Sequence, residues 1–135
     1  MSVSAFKAGL RAHLTGNAGV SALVGSRVWP IAFPGGGAFP AVTYQVVDTA
    51  TNAGLYPNMG LRQITVDLLA VDDDSDTPDD VADAIEAALL TRIGDIGSSG
   101  VKVQDCVLAD SEARVDVYRP EERLYGVRLR LVFTI

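Results

Sequence analysis

Leu61-Arg62-Gln63-Ile64-Thr65-Val66-Asp67-Leu68-Leu69-Ala70, with Thr77-Pro78-Asp79-Asp80-Val81 close behind, decides how this chain of 135 residues folds. In the first stretch Ile64, Val66 and Leu68 alternate with Gln63, Thr65 and Asp67, the period of a strand with one dry face. The strand is predicted over Leu61–Val71. In the second, Thr77 is a good N-cap, Pro78 suits the first helical position, and Asp79 and Asp80 complement the positive end of the helix dipole. Val81, Ile85, Ala88 and Leu89 then recur at helical spacing, through Arg92 or Ile93.

Outward from this centre the same two periods repeat. Ser4 or Ser2 caps a first helix to about Leu14, with Phe6, Leu10 and Leu14 inward and Lys7 and Arg11 outward. Asn17 caps a short second helix, Ala18–Val24, closed by Gly25. Arg27–Ile31 is a brief extended segment, and Pro34-Gly35-Gly36-Gly37 with Pro40 is a loop. Ala41–Asp48 reads as a strand, with Val42, Tyr44 and Val46 on one face. Thr49–Gly60 reads as a long polar loop, of a length that is often functional. Val101–Ala109 and Arg114–Tyr118 are further strands. In the closing strand, Leu124–Ile135, Val127, Leu129, Leu131 and Phe133 alternate with Arg128 and Arg130. The expectation is α+β: a mainly antiparallel sheet with helices packed on one face, in a single domain over 1–135.

Composition narrows the function classes. The chain carries 17 acids against 11 bases, a net charge of −6. A protein that grips phosphates carries the opposite balance, so sequence-specific nucleic-acid binding is disfavoured. Cys106 is the one cysteine, which excludes an intramolecular disulfide or a multi-cysteine zinc site, and it reads as a small buried hydrophobe. No apolar run reaches the roughly 18–20 residues of a membrane span, and the N-terminus lacks the order of a signal peptide. The expectation is a protein made in the cytoplasm, with no membrane partner.

No constellation for catalysis emerges. Asp72-Asp73-Asp74-Ser75-Asp76 begins like a calcium loop, but Thr77 stands where the sharp turn needs glycine and Asp83 where a bidentate glutamate belongs. It reads as a solvated loop before a capped helix. His13 has no second histidine to pair with. The serines form no nucleophile elbow, and Gly35-Gly36-Gly37 lacks the Lys-Ser/Thr of a phosphate loop. Trp29 and Tyr44 have no interleaved basic residues and read as core or interface aromatics. Neither an enzyme, a metal site nor a cofactor is expected.

Charge is the informative pattern. Eight of the 17 acids lie between Asp72 and Glu86, and five of the 11 bases are arginines between Arg114 and Arg130. Such segregation leaves two surfaces of opposite sign. The expected subunit interface sets Asp79, Asp80, Asp83 and Glu86 of one copy against Arg114, Arg128 and Arg130 of the next, a heterologous contact able to close a ring.

The order of elements resembles the tail-completion, or tail terminator, family of long-tailed bacteriophages. The resemblance is carried by Ala22-Leu23-Val24-Gly25-Ser26-Arg27-Val28-Trp29-Pro30, by Pro40-Ala41-Val42-Thr43-Tyr44, by Arg62-Gln63-Ile64-Thr65-Val66-Asp67-Leu68, by the acidic helix Pro78–Leu90 and by Tyr125-Gly126 through Phe133. It spans nearly the whole chain, and colinearity carries it. The aspartates before the third helix and the glycine triplet depart from the pattern. The resemblance implies a homohexameric ring in the virion, at the tail neck, assembled in the host cytoplasm. Such a ring caps the tail tube protein, stops its polymerisation, meets a head-tail connector or stopper protein and lets DNA pass through its lumen. The expected axial contact loops hold Asn52, Leu55, Tyr56 and Asn58, and Asp72, Asp73 and Asp74. The alternatives are a head-closure or adaptor protein of the same neck and a small α+β ligand-binding module.

Overall fold

The computed structural model describes residues 3–32, 38–51, 62–90, 93–97, 99–109 and 112–135. Among these residues three helices, α1 (Val3–Gly16), α2 (Ala18–Val24) and α3 (Thr77–Leu89), accompany eight strands. These are β1 (Val28–Pro30), β2 (Ala41–Thr51), β3 (Arg62–Asp72), β4 (Gly94–Asp95), β5 (Lys102–Val103), β6 (Asp105–Leu108), β7 (Arg114–Arg119) and β8 (Leu124–Thr134). The main sheet runs β1-β2-β3-β8, and β8 then pairs with β7 along its first half and β6 along its second. All pairings are antiparallel except β1 with β2. The fold is the expected α+β arrangement.

One face of the sheet supplies the core. Ile64, Val66, Leu68 and Ala70 of β3 stand opposite Phe133, Leu131, Leu129 and Val127 of β8, and all eight are buried. Phe6, Leu10 and Leu14 of α1, Val20 and Val24 of α2, and Val81, Ala82, Ile85 and Leu89 of α3 join the same cluster. Phe6 meets Phe133 edge to face, with ring centroids 5.0 Å apart, an arrangement the ring quadrupoles favour. Polar bonds fix the helices at their ends. Asn17 caps α2 by accepting from the Val20 N–H at 3.1 Å. His13 Nε2 lies 2.9 Å from the Ala88 carbonyl; a carbonyl only accepts, so this nitrogen carries the proton and ties α1 to α3.

Arg27, in the short motif after α2, donates its Nε to the Pro40 carbonyl at 2.8 Å and locks the loop entering β2. Arg11 does not turn outward as expected. Its Nε donates to the Val28 carbonyl at 3.0 Å and joins α1 to β1.

Several boundaries differ from the sequence reading for identifiable reasons. β2 runs on to Thr51, because Val47 forms a bulge between the Val46 and Asp48 pairings. The bulge reverses the alternation, and the strand therefore reads as ended. The stretch 101–109 is two strands, since burial switches phase between Val103 and Cys106. β5 pairs with β4, and β6 with β8. The helix starts at Thr77, with Asp76 rather than Thr77 as its N-cap, and stops at Leu89. The glycine triplet, Arg92 and most of the expected 49–60 loop lie outside the described residues.

α1 and the β4–β5 turn approach so closely that a side chain is excluded. A Cβ on Gly9 would lie 2.5 Å from the Ile96 carbonyl oxygen, and Gly97, at φ 56°, faces the Gly9 backbone. Gly9→Ala should therefore cost about 1–3 kcal/mol, the usual penalty of overpacking. Gly16→Ala, which meets open space, should stay near wild type. Thermal unfolding checks both, and equal midpoints for Gly9→Ala and wild type would refute the close approach.

Candidate functional site

The strands and α3 bring most of the expected charged residues together, but within one copy. Arg114 opens β7 on the helix side of the sheet, opposite Leu129. Its guanidinium reaches Asp83 and Glu86 at 2.8 Å each and Asp79 at 3.2 Å. Spacing on α3 explains the convergence: these three residues recur every three or four positions and share one side of the helix. The Arg114 pKa rises, first through its hydrogen bond to Asp83, with Asp79 and Glu86 adding to it. Arg114 is thus a latch between α3 and β7.

Arg130 is satisfied on the other face. Its Nε and Nη2 donate to the two oxygens of Asp67 at 2.7 and 2.9 Å, a planar fork on a carboxylate. Asp67 stands directly across β3–β8 from Arg130. The sequence reading placed Asp67 on the polar face of its strand but gave it no partner; the arginines alternating in the closing strand were the signal.

Arg128 is less well served. Its Nη2 donates to the Glu112 carbonyl at 3.1 Å and lies 3.8 Å from that residue's carboxylate. Its Nε is buried with no hydrogen-bond partner among the described residues. Arg119, which the sequence reading did not single out, lies 3.7 Å from Glu122. Asp80 faces solvent from α3.

The aspartate loop divides. Asp72 ends β3 and is only 7% exposed, so the expectation that it projects with Asp73 and Asp74 is corrected: the strand carries it inward beside Tyr125. Asp73 and Asp74 are exposed. The Asp74 carboxylate accepts from the Asp76 N–H at 3.1 Å and the Thr77 hydroxyl at 3.5 Å, so it braces the turn into α3. Among the described residues no group of three or more His, Cys, Asp or Glu is placed to hold a metal ion. Asn52, Leu55, Tyr56 and Asn58 lie outside the described residues.

Two shallow clefts flank this charge network. One, of about 210 Å³, lies between the start of α3 and the β7–β8 hairpin, where the Tyr118 and Tyr125 rings meet at a tilt of 38° with centroids 4.9 Å apart. The other, of about 250 Å³, crosses the sheet face that no described helix covers. Both are smaller than the roughly 300–1,000 Å³ of a small-molecule site. Burial pushes the Cys106 thiol up to about 12, which disfavours the reactive thiolate at neutral pH. No helix among the described residues is long and apolar enough to cross a membrane.

Residues 8–135 match the family of tail completion protein gp17. The chain belongs to that family. No curated protein sequence matches it. Among solved structures, a chain from the virion of the native gene transfer agent particle shares its fold, at TM-score 0.75 and 16% identity, over 97% of this chain and 94% of that one. The family match spans the Arg27 clamp, the β3–β8 pair and the Arg114 latch.

Asp72 yields a pH test. Burial raises its pKa, more than the hydrogen bonds from the Asp73 backbone and Thr77 lower it. The folded carboxyl keeps its proton to higher pH than the unfolded one, so its contribution to stability declines as pH rises through that window. Asp72→Asn should therefore be at least as stable as wild type at pH 7, and the difference should shrink as pH falls toward the unfolded pKa. Urea unfolding at several pH values checks this; a variant less stable at pH 7 that gains on wild type in acid would show the opposite sign.

Proposed function

We propose that this chain is a structural component of a phage-type virion that completes the tail as a ring of identical copies. The ring caps the head-proximal end of the tube protein, ends its polymerisation and presents the surface that joins a head-tail connector or stopper protein. Membership of the tail completion family is the observation that carries this reading. The fold shared with a chain of a gene transfer agent virion supports a place in the particle.

The molecule's two broad faces support assembly into a ring. The helix layer carries exposed acids, and the sheet face that no described helix covers carries arginines. Unlike faces on opposite sides of one body join head to tail, and such a contact closes when the rotation permits. A compact domain of this length has a radius of gyration of about 14 Å; six side by side leave room for a duplex. An acidic lumen would repel phosphate and let DNA slide through without binding. No catalytic step is assigned, since neither cleft joins a nucleophile to a base.

The segment Asn52–Asn58 is proposed to reach the tube or the neck. Purified protein should form rings by negative-stain microscopy and should cap purified tail tubes. Deleting Asn52–Asn58 should abolish capping while circular dichroism remains that of the wild type. Capping by the deletion variant would reject the loop's role. Binding to filled heads in preference to tubes would assign the protein to the head side of the joint.

A further inference from the structure

The cleft on the sheet face that no described helix covers extends from the end of β1 across the sheet to β7, with Ile31, Thr43, Gln45, Asp67, Arg119 and Arg128 among its walls, and the Asp67 carboxylate is already held by Arg130. The cleft's two arginines are less fully satisfied than Arg114 and Arg130. Arg114 holds three carboxylates at 3.2 Å or less, and Arg130 forks onto Asp67. By contrast, the ion pairs of Arg119 and Arg128 among the described residues are long, 3.7 and 3.8 Å, to Glu122 and Glu112 side chains that are themselves 54% and 75% exposed, and Arg128 adds one bond to the Glu112 carbonyl at 3.1 Å. Contacts that long with solvated partners add little. Arg128 also buries an Nε with no acceptor. A buried donor left unpaired costs more than a formed bond returns, so this guanidinium gains from a new carboxylate. Ile31 stands at the rim, 67% exposed and at φ 66°, a conformation unusual for a β-branched residue.

The matching acids lie on the opposite side of the molecule. Asp76 and Asp80, at the start of α3, are exposed and make no ion pair with any described residue, whereas Asp79, Asp83 and Glu86 are spent on Arg114. We infer that the cleft of one copy takes the Asp76 and Asp80 carboxylates of the next copy between Arg119 and Arg128. The Arg128 fork swings from Glu112 onto the incoming carboxylate, which gives its Nε an acceptor. Because donor and receiver lie on opposite faces, the contact is heterologous and repeats around a ring. The net charge of −6 disfavours a nucleic acid as the occupant. This pairing rests on the ring reading above and specifies its contact.

Charge exchange tests it. Wild type, Arg119→Glu, Asp80→Lys and the variant carrying both are compared by sedimentation velocity, with circular dichroism as the folding control. Each single variant should weaken association at least tenfold, and the double variant, which re-pairs Lys with Glu between copies, should recover most of it. Single variants that associate like an oligomeric wild type overturn the pairing and leave the ring reading standing. A double variant that fails to recover also overturns it. Wild type that stays monomeric even beside tail tubes overturns the ring reading and the pairing together, as does a monomer that retains duplex DNA through Arg119.

Discussion

The ten-residue pairing of β3 with β8, from Gln63 opposite Thr134 to Asp72 opposite Tyr125, is the constraint on which every other element leans. It sets four apolar residues of each strand into one surface, and the three helices close over that surface. Side chains alternate with a period of two, so a slip of β8 by one residue against β3 would turn its four apolar groups to solvent and bury Arg130. The hydrophobic pattern thus fixes the register, and the register in turn sets Asp67 across from Arg130. β2, β6 and β7 then find their places along this pair, and β7 brings Arg114 under α3.

A consequence is a body with two unlike faces. On the helix side the Arg114 latch neutralises the inner acids of α3 and leaves Asp76 and Asp80 outward. On the sheet side the Arg130–Asp67 fork neutralises the centre and leaves Arg119 and Arg128 with weak partners. The proposed ring requires no rearrangement of the core, because the groups assigned to the contact are those that the fold leaves unsatisfied. Residues that hold the domain together and residues proposed to hold copies together are therefore separable by mutation.

Much of this was legible in the residues. The alternation in Arg62–Val71 and Val127–Phe133 and the helical spacing of Phe6, Leu10 and Leu14 predicted the sheet, the core and its helix-covered face. What escaped the sequence reading depended on tertiary neighbours. The bulge at Val47 and the phase change at Gln104 interrupt a local period, so a strand seemed to end early and two strands merged into one. Opposite charge clusters were visible, but composition does not say whether Arg114 meets Asp83 of its own chain or of another. Spatial proximity decides that, and it draws Arg114 and Arg130 into internal pairs. Asp72 looked like part of a solvated run because its neighbours are acidic, yet the strand continues through it and buries it. Arg119 was one of five clustered arginines, and nothing local singled it out until the cleft placed it with Arg128.

Cross-linking between faces tests the central claim most directly. Cys106 is buried, with its thiol pushed up to about 12, so introduced cysteines dominate the chemistry. Asp80→Cys and Arg119→Cys are prepared as separate proteins, mixed under assembly conditions and oxidised gently. Head-to-tail packing predicts a disulfide-linked dimer from the mixture and none from either variant alone. A dimer formed by Asp80→Cys with itself, or no mixed dimer from assembled material, would contradict it.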